Sequence, residues 1–326
     1  MRVCIVGAGA IGGLFGARLA QAGADVSAVA RGATAQALRQ HGWRLQTADG
    51  LVTAPVAVAE DAAALGPQAL VVVAVKGPAL ASVAPTVAAL SNRDTAVVTA
   101  MNGVPWWFFH GVGGAHDGQA LATVDPDGTI AASIPAAQVV GAVVHLACST
   151  PEPGFVRHGV GNRLIFGEPG GGTSPRVERI AALFRAAKFD VEVSTRIQAD
   201  IWYKLWGNMT MNPVSAVTGA TLDRILDDPL VNAFCLSVMR EAAAIGAAIG
   251  CPIAQSGEER NAITRKLGAI KTSMLQDVEG GKPVEIDALL SSVREIGERT
   301  GIATPNMDAL LGLARLHART HGLYPA

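Results

Sequence analysis

RVCIVGAGAIGG (residues 2–13) decides the fold. Its opening five residues are a short apolar run with the look of a strand. Gly7, Gly9 and Gly12 follow at once in the spacing G-x-G-x-x-G, and LFGARLAQAG then continues in a helical pattern. Such a glycine trio alone occurs in any Gly-Ala-rich turn. Placed after a strand and opening a helix, it is the phosphate-binding turn of a dinucleotide domain. Gly7 makes the turn, Gly9 lets a pyrophosphate approach the backbone, and Gly12 lets helix and strand pack closely. Ala8, Ala10 and Ile11 complete the loop, and the helix start offers free N–H groups to the phosphates.

The next strand, ADVSAVAR, indicates which dinucleotide. A site for the unphosphorylated cofactor wants an acid at the strand's far end, for the ribose 2′-hydroxyl. Asp25 lies at the near end, and Arg31 stands where the acid would be. Arg31 suits a 2′-phosphate, so NADPH is the expected cofactor; the alternative is a solvated surface arginine. Two further apolar strands, ALVVVAVK and TAVVTAMN, end in Lys76 and Asn102. Ligands of open α/β sheets bind outside such carboxyl ends, although Lys76 also suits a solvated strand end and Asn102-Gly103 a simple turn. With helical ATAQALRQHG and PALASVAPTVAAL interleaved, the alternation predicts a parallel α/β sheet. WRLQT-ADG-LVTAPVAV reads as a hairpin.

Farther on, VVGAVVHLA, GFVRHG and NRLIFGE read as short strands, RVERIAALFRAAKF as a helix and DVEVST as a last strand. Helices are then expected near 198–219, 228–250, 257–278, 285–300 and 305–320. The chain therefore divides into an N-terminal Rossmann-type α/β dinucleotide-binding domain (1–195) and an all-α C-terminal domain for substrate and catalysis (196–326).

DIWYKLWGNMTMNP (residues 200–213) carries Lys204, Asn208 and Asn212 at four-residue spacing. Eight helical residues turn through ~800°, so the outer two lie ~80° apart and all three form one stripe. Ile201, Trp202, Leu205, Trp206 and Met209 cover the other side. Pro213 is expected to kink or stop this helix. An ordinary wet helix face favours Glu and Lys, whereas asparagine is a poor helix former. Two asparagines in register suggest polar groups aimed at a ligand.

The bulk composition excludes several classes. The chain has 326 residues, 50% hydrophobic and 16% charged, with a formal net charge of -1. That describes a well-buried globular protein, and gives no electrostatic support for a nucleic-acid or membrane partner. No apolar run reads as approaching the ~18 residues that span a bilayer, and the N-terminus lacks signal-peptide character. Cys4, Cys148, Cys235 and Cys251 fit free thiols in a reducing cytoplasm. His110, His116, His145 and His158 match no common metal spacing, so no metal is expected.

GAGAIGG, VKG, MNGV, WYKLWGNMTMNP and TSMLQDVEGGKPVEID together resemble the ketopantoate reductase (2-dehydropantoate 2-reductase) family, in order and over nearly the whole chain. The resemblance implies a Rossmann domain, a helical domain of the 6-phosphogluconate dehydrogenase type, and an active site in the cleft between them. It implies a small-molecule 2-oxo acid substrate reduced by NADPH, and allows a homodimer. Lys204 matches the catalytic lysine and Glu285 the active-site glutamate. Asn208 and Asn212 match the substrate-side asparagines, and Ser273 the serine on the substrate carboxylate. Asn102 matches the asparagine near the nicotinamide, Lys76 the cofactor-side lysine and Arg31 the 2′-phosphate arginine. Two positions depart from the family pattern: Leu222 and Ile270 stand where members often carry asparagine. The segment PWWFFHGVGGAHDGQALATVDPDG is also longer than in compact members; Trp106, Trp107, Phe108 and Phe109 suit internal packing, a subunit interface or substrate contact. A reductase of another 2-oxo or 3-hydroxy acid and a non-catalytic NADPH-binding sensor remain as alternatives.

Overall fold

The computed structural model describes residues 1–325. Two compact units share the chain. The first comprises Met1–Met101, Trp106–Ala120 and Asp127–Ile197; the second comprises Asn102–Pro105, Leu121–Pro126 and the chain from Gln198 on.

The first unit alternates β1 (Arg2–Val6), α1 (Ala10–Gln21), β2 (Asp25–Val29), α2 (Gly32–His41), β3 (Trp43–Thr47), β4 (Gly50–Ala54), β5 (Ala57–Ala59), β6 (Leu70–Val73), α3 (Leu80–Ala89), β7 (Ala96–Thr99), α4 (Thr129–Ser133), β8 (Val139–Glu152), β9 (Phe155–Gly167), α5 (Pro175–Ala186) and β10 (Asp190–Ser194). Among the described residues these strands form one ten-stranded sheet, in the order β4-β3-β9-β8-β7-β6-β1-β2-β5, with β10 pairing β9. From β5 to β8 all pairs are parallel. Numbered along the chain, those six strands lie 3-2-1-4-5-6, the doubly wound order of dinucleotide-binding sheets, whose strand order reverses beside β1. The other side is mixed, because β8–β9 and β3–β4 are antiparallel.

Three local expectations need correction. The run LVTAPVAV splits: β4 ends at Ala54 and β5 pairs with β2 at the far edge. Pro55 falls at the break, where its missing N–H interrupts a ladder at no cost to either strand. GFVRHG and NRLIFGE are one strand, β9, and VVGAVVHLA is only the first part of β8. Gly161, in the gap between those two runs, lies opposite Leu146 at a register shift with φ +79. It is a bulge glycine: a Cβ there would stand 2.4 Å from the His145 carbonyl oxygen.

Helix formation follows ordinary rules. In α5 the Ser174 hydroxyl caps Val177 N–H, Pro175 opens the first turn, and Val177, Ile180, Ala181 and Phe184 form the buried stripe. Phe184 meets Phe15 of α1 edge-on at 5.3 Å and Phe166 of β9 at 5.0 Å, tying helices to sheet. The aromatic insertion also turns inward. Trp106, Trp107, Phe108 and Phe109 are all buried, Trp107 Nε1 donates to Thr99 Oγ1, and Trp106 Nε1 donates to the Ile134 carbonyl. Internal packing is therefore the role the structure gives them.

The second unit is helical: α6 (Ile197–Thr218, its first residue belonging to the first unit), α7 (Leu222–Asp227), α8 (Pro229–Ala248), α9 (Gly257–Arg265), α10 (Ser273–Glu279), α11 (Ser292–Thr300) and α12 (Pro305–Thr320). The expected single helix over 257–278 is two helices, and α7 is an addition. Of the two outcomes expected at Pro213, a kink or a stop, the stop does not occur: α6 runs on to Thr218. A proline inside a helix costs ~3 kcal/mol, and the buried Met209, Met211, Val214 and Ala216 on both sides of it supply enough packing to outweigh that. Trp202 and Trp206 donate their indole N–H groups to the Ala242 and Met239 carbonyls of α8, at 3.2 and 2.8 Å. α8 is long and apolar enough by composition to cross a membrane, although Asn232, Arg240 and Glu241 interrupt its apolar run. Within this unit it is a packing helix: it buries Cys235, Val238, Met239, Ala242 and Ile245, and its Glu241 accepts the Asn306 and Met307 N–H groups. Glu295 of α11 holds the segment 121–126 by accepting from Ala122 N–H, Thr123 N–H and the Thr123 hydroxyl.

Trp43 is the largest fully buried side chain in the first unit, yet its indole nitrogen has no hydrogen-bond partner. Trp43→Ala is expected to cost ~3–5 kcal/mol in urea unfolding. Trp43→Phe is expected to cost clearly less, because no indole bond is lost. Equal costs would show that the indole N–H is satisfied after all.

Candidate functional site

In the first unit, each of the three motif glycines meets a different physical demand. Gly7 has φ +96, and a Cβ there would lie 2.8 Å from the Ala74 carbonyl oxygen beyond β6. A Cβ on Gly12 would lie 2.0 Å from the Gly7 carbonyl oxygen, so the helix can sit this close to its own turn only as glycine. Gly9, the N-cap of α1, has nothing within 4 Å of where its Cβ would stand. That position is open to an incoming group. A tight turn, a tight helix seat and an open middle position are what a bound pyrophosphate requires, so the residues present fit a dinucleotide. Arg31 is exposed at the carboxyl end of β2, as the N-cap of α2. Lys76 is half-buried beyond β6 and caps the turn Gly77–Ala79.

In the second unit, Lys204 and Asn208 are half-buried and Asn212 is buried, while Ile201, Trp202, Leu205, Trp206 and Met209 are buried as the stripe requires. Lys204 Nζ donates to Asn102 Oδ1 at 2.7 Å. Burial pushes the Lys204 ammonium down to about 8, and the field of the Glu285 carboxylate works against that shift. Asn212 Nδ2 lies 3.4 Å from Ser273 Oγ, at the long end of hydrogen bonding. Ser273 is exposed at the start of α10, where the Thr272 hydroxyl caps Leu275 N–H. Sequence positions far apart thus meet in two pairs: Lys204 with Asn102, within the field of Glu285, and Asn212 with Ser273. Leu222 and Ile270 also meet, through a backbone bond from Leu222 N–H to the Ile270 carbonyl at 3.0 Å. Among the described residues no cluster of His, Cys, Asp and Glu could hold a metal ion.

The sequence reading missed the surroundings of Glu285. The helix that follows it begins as a π-turn, Asp287–Ser291. Tyr324 donates to Asp287 Oδ1 at 2.6 Å, and Val284 N–H donates to the Leu323 carbonyl at 3.2 Å. A π-turn leaves no mark in apolar periodicity, so only the backbone shows it.

A doubly wound dinucleotide-binding sheet, together with a half-buried lysine bonded to an amide and in the field of a carboxylate, defines a nucleotide-dependent oxidoreductase. Comparison with known proteins makes this specific. The family described as "Ketopantoate reductase PanE/ApbA" matches residues 3–171, and its C-terminal counterpart matches residues 196–318. A 2-dehydropantoate 2-reductase of Mesorhizobium japonicum is 44% identical over 99% of this chain and 100% of its own. A crystal structure from Ralstonia solanacearum, carried under a provisional ketopantoate reductase name, is 62% identical with a TM-score of 0.96, covering 99% of both chains. The 2-dehydropantoate 2-reductase of Methylococcus capsulatus is 28% identical with a TM-score of 0.84, covering 98% of each. This chain belongs to the ketopantoate reductase family, and so to the oxidoreductases that act on a CH–OH group.

The glycines give a paired prediction. Gly9→Ala should cost at most about 1 kcal/mol of stability, as a changed N-cap, yet weaken NADPH binding by about tenfold or more, which is ~1.4 kcal/mol. Gly12→Ala should destabilise by ~1–3 kcal/mol through overpacking. Unfolding curves and cofactor titrations check both; unchanged NADPH affinity in Gly9→Ala would remove the open position from the cofactor site.

Proposed function

We propose that this protein reduces 2-dehydropantoate to pantoate with NADPH, using Lys204 as the general acid. The observation that carries this reading is the Lys204 ammonium, enclosed by protein, hydrogen-bonded to Asn102 and balanced by the Glu285 carboxylate. Bound NADPH supplies a hydride. Everything else falls to the chain's own residues. The turn of Gly7, Ala8, Gly9, Ala10, Ile11 and Gly12 would hold the pyrophosphate, with Arg31 on the 2′-phosphate and Lys76 beside the cofactor.

Reduction of a ketone leaves negative charge on its oxygen, which requires a nearby positive charge and a proton. Lys204 Nζ offers both. Burial makes that proton easier to release, while Glu285 keeps the amine charged. With its pKa lowered to about 8, the amine is held close to the pH range in which it gives up its proton. Asn208, Asn212 and Ser273 would hold the substrate carboxylate with neutral donors, and Asn102 would fix the lysine's direction. The reading extends to a cytoplasmic enzyme, whose four free cysteines stay reduced there.

A second reading, reduction of a different 2-oxo acid, draws on Leu222 and Ile270, which place apolar side chains where family members often carry amides. A panel of 2-oxo acids, assayed by NADPH oxidation, separates the two. Turnover of 2-dehydropantoate with the highest kcat/KM supports the first, and turnover of another acid alone supports the second. A folded protein that binds NADPH and reduces none of them is a sensor.

Lys204→Ala is expected to lower kcat by about 10²–10⁴-fold, with kcat/KM falling alongside it. In the unmodified enzyme kcat should fall as pH rises through about 8, since the acid must start protonated. A flat profile to pH 9.5, or near-normal kcat in Lys204→Ala, reduces Lys204 to a helix-face lysine.

Arg31→Ala should raise KM for NADPH by about tenfold or more, the loss of one charge-assisted contact of ~1.5–3 kcal/mol, and leave KM for NADH nearly unchanged. Equal effects on both cofactors would mean that Arg31 does not read the 2′-phosphate.

A further inference from the structure

The Asn102–Lys204 contact needs an anchor, because Asn102 sits in a connection rather than in a helix or strand. Its neighbours supply one. Val104 N–H donates to the Ala288 carbonyl at 2.8 Å. Gly103 has φ +82, and a Cβ there would lie 2.3 Å from that same carbonyl oxygen. The backbone at residue 103 therefore lies directly against the backbone at Ala288, closer than any side chain permits.

The Ala288 carbonyl is available because of the π-turn. In an unbroken α-helix, Ser292 N–H would bond to the carbonyl of Ala288. Here Ser292 N–H bonds to the Asp287 carbonyl, one residue earlier. The Ser292 hydroxyl still reaches the Ala288 carbonyl at 3.0 Å, and Val104 N–H takes a place on it as well. The π-turn itself is braced, since Asp287 Oδ1 accepts from Ser291 Oγ at 2.9 Å and from the Tyr324 hydroxyl at 2.6 Å. Such turns interrupt helices mostly at functional positions, and this one begins two residues after Glu285.

We infer that Gly103, Val104 and the Ala288 carbonyl of the π-turn form a positioning latch that fixes Asn102, and through it the direction of the Lys204 ammonium, for proton delivery. Gly103 and Ala288 touch neither substrate nor cofactor; they act through Asn102. The same short segment, residues 285–288, thus supplies both the carboxylate that charges Lys204 and the carbonyl that aims it. This inference rests on the reading of Lys204 as the acid.

Two variants test it from opposite sides. Gly103→Ala adds an atom where there is no room. Val104→Pro removes the donor and puts the ring Cδ where the amide hydrogen stood, against the same carbonyl. Each is expected to lower kcat by up to about 100-fold, the scale of a misplacement of about 1 Å. NADPH affinity should stay within about threefold, ~0.65 kcal/mol, because the phosphate-binding turn is untouched. A role confined to stability would lower the melting temperature and leave kcat of the folded enzyme unchanged, which overturns the inference. Lys204→Ala, measured alongside, separates the two levels. If Lys204→Ala is inactive while folded Gly103→Ala and Val104→Pro keep full kcat, the latch fails and the general acid stands. If Lys204→Ala keeps full kcat, the reading beneath the latch fails. Should neither variant fold, amide exchange in the unmodified protein decides. Val104 N–H is expected to be protected, and exchange as fast as an exposed loop amide overturns the latch.

Discussion

The first unit depends on how closely its sheet and its first turn approach one glycine-lined face of α1. At Gly12 the helix touches the carbonyl of Gly7, at Gly13 it meets Val156 of β9, and at Gly16 it meets the ring of Trp43 in β3. No side chain fits at any of the three. The helix can therefore lie flat on the sheet, which brings its N-terminus to the carboxyl end of β1. The rest of the unit follows from that seat. Phe15, on the same helix, joins the aromatic cluster of Phe166, Phe184 and Phe189, which binds α5 and β9 to the core. The turn proposed to hold a pyrophosphate and the seat that stabilises the unit share residues. Gly9 alone is left with open space.

In the second unit the central conflict is electrostatic. A lysine beside buried indoles is costly to keep charged. Glu285 offsets that cost and Asn102 provides a directed acceptor, so the amine stays charged yet close to releasing its proton. Such a balance requires its parts to be held rigidly. The supports are correspondingly dense: α6 is tied to α8 through Trp202 and Trp206, the segment 121–126 to α11 through Glu295, and the start of the π-turn to Tyr324. Glu295 illustrates how this is done. Burial would raise its pKa, but the Thr123 hydroxyl, the backbone N–H groups of Thr123 and Ala122, and Arg299 together hold it below the ordinary glutamate range.

Much of this was legible in the residues. The strand–turn–helix at the N-terminus is read from glycine spacing because each glycine answers a steric demand that only glycine meets. The stripe of Lys204, Asn208 and Asn212 is read from helical period, and the burial of the intervening Trp202 and Trp206 follows from it. Other features depend on tertiary context. Pro213 reads as a helix kink or end, yet α6 runs on past it to Thr218, with buried residues on both sides. GFVRHG and NRLIFGE read as two strands, yet Gly161 between them is a bulge in one strand, because β8 runs alongside it. The apolar composition of α8 reads as unremarkable in the sequence and as bilayer-length in the folded helix, where Glu241 fixes its role. The π-turn was invisible for a simpler reason: it changes hydrogen-bond partners by one residue and leaves the pattern of buried side chains alone.

The placement of the tryptophans has an optical consequence. Of five in the chain, Trp43, Trp106 and Trp107 belong to the first unit, and Trp202 and Trp206 to the second. The latter pair flanks Lys204 on α6, with both indole N–H groups bonded to main-chain carbonyls of α8. Indole emission responds to just such bonds and to the polarity around them. The helix that carries the amine therefore carries its own chromophores, and replacing the other three tryptophans by phenylalanine would leave a protein whose fluorescence reports the α6–α8 seam alone.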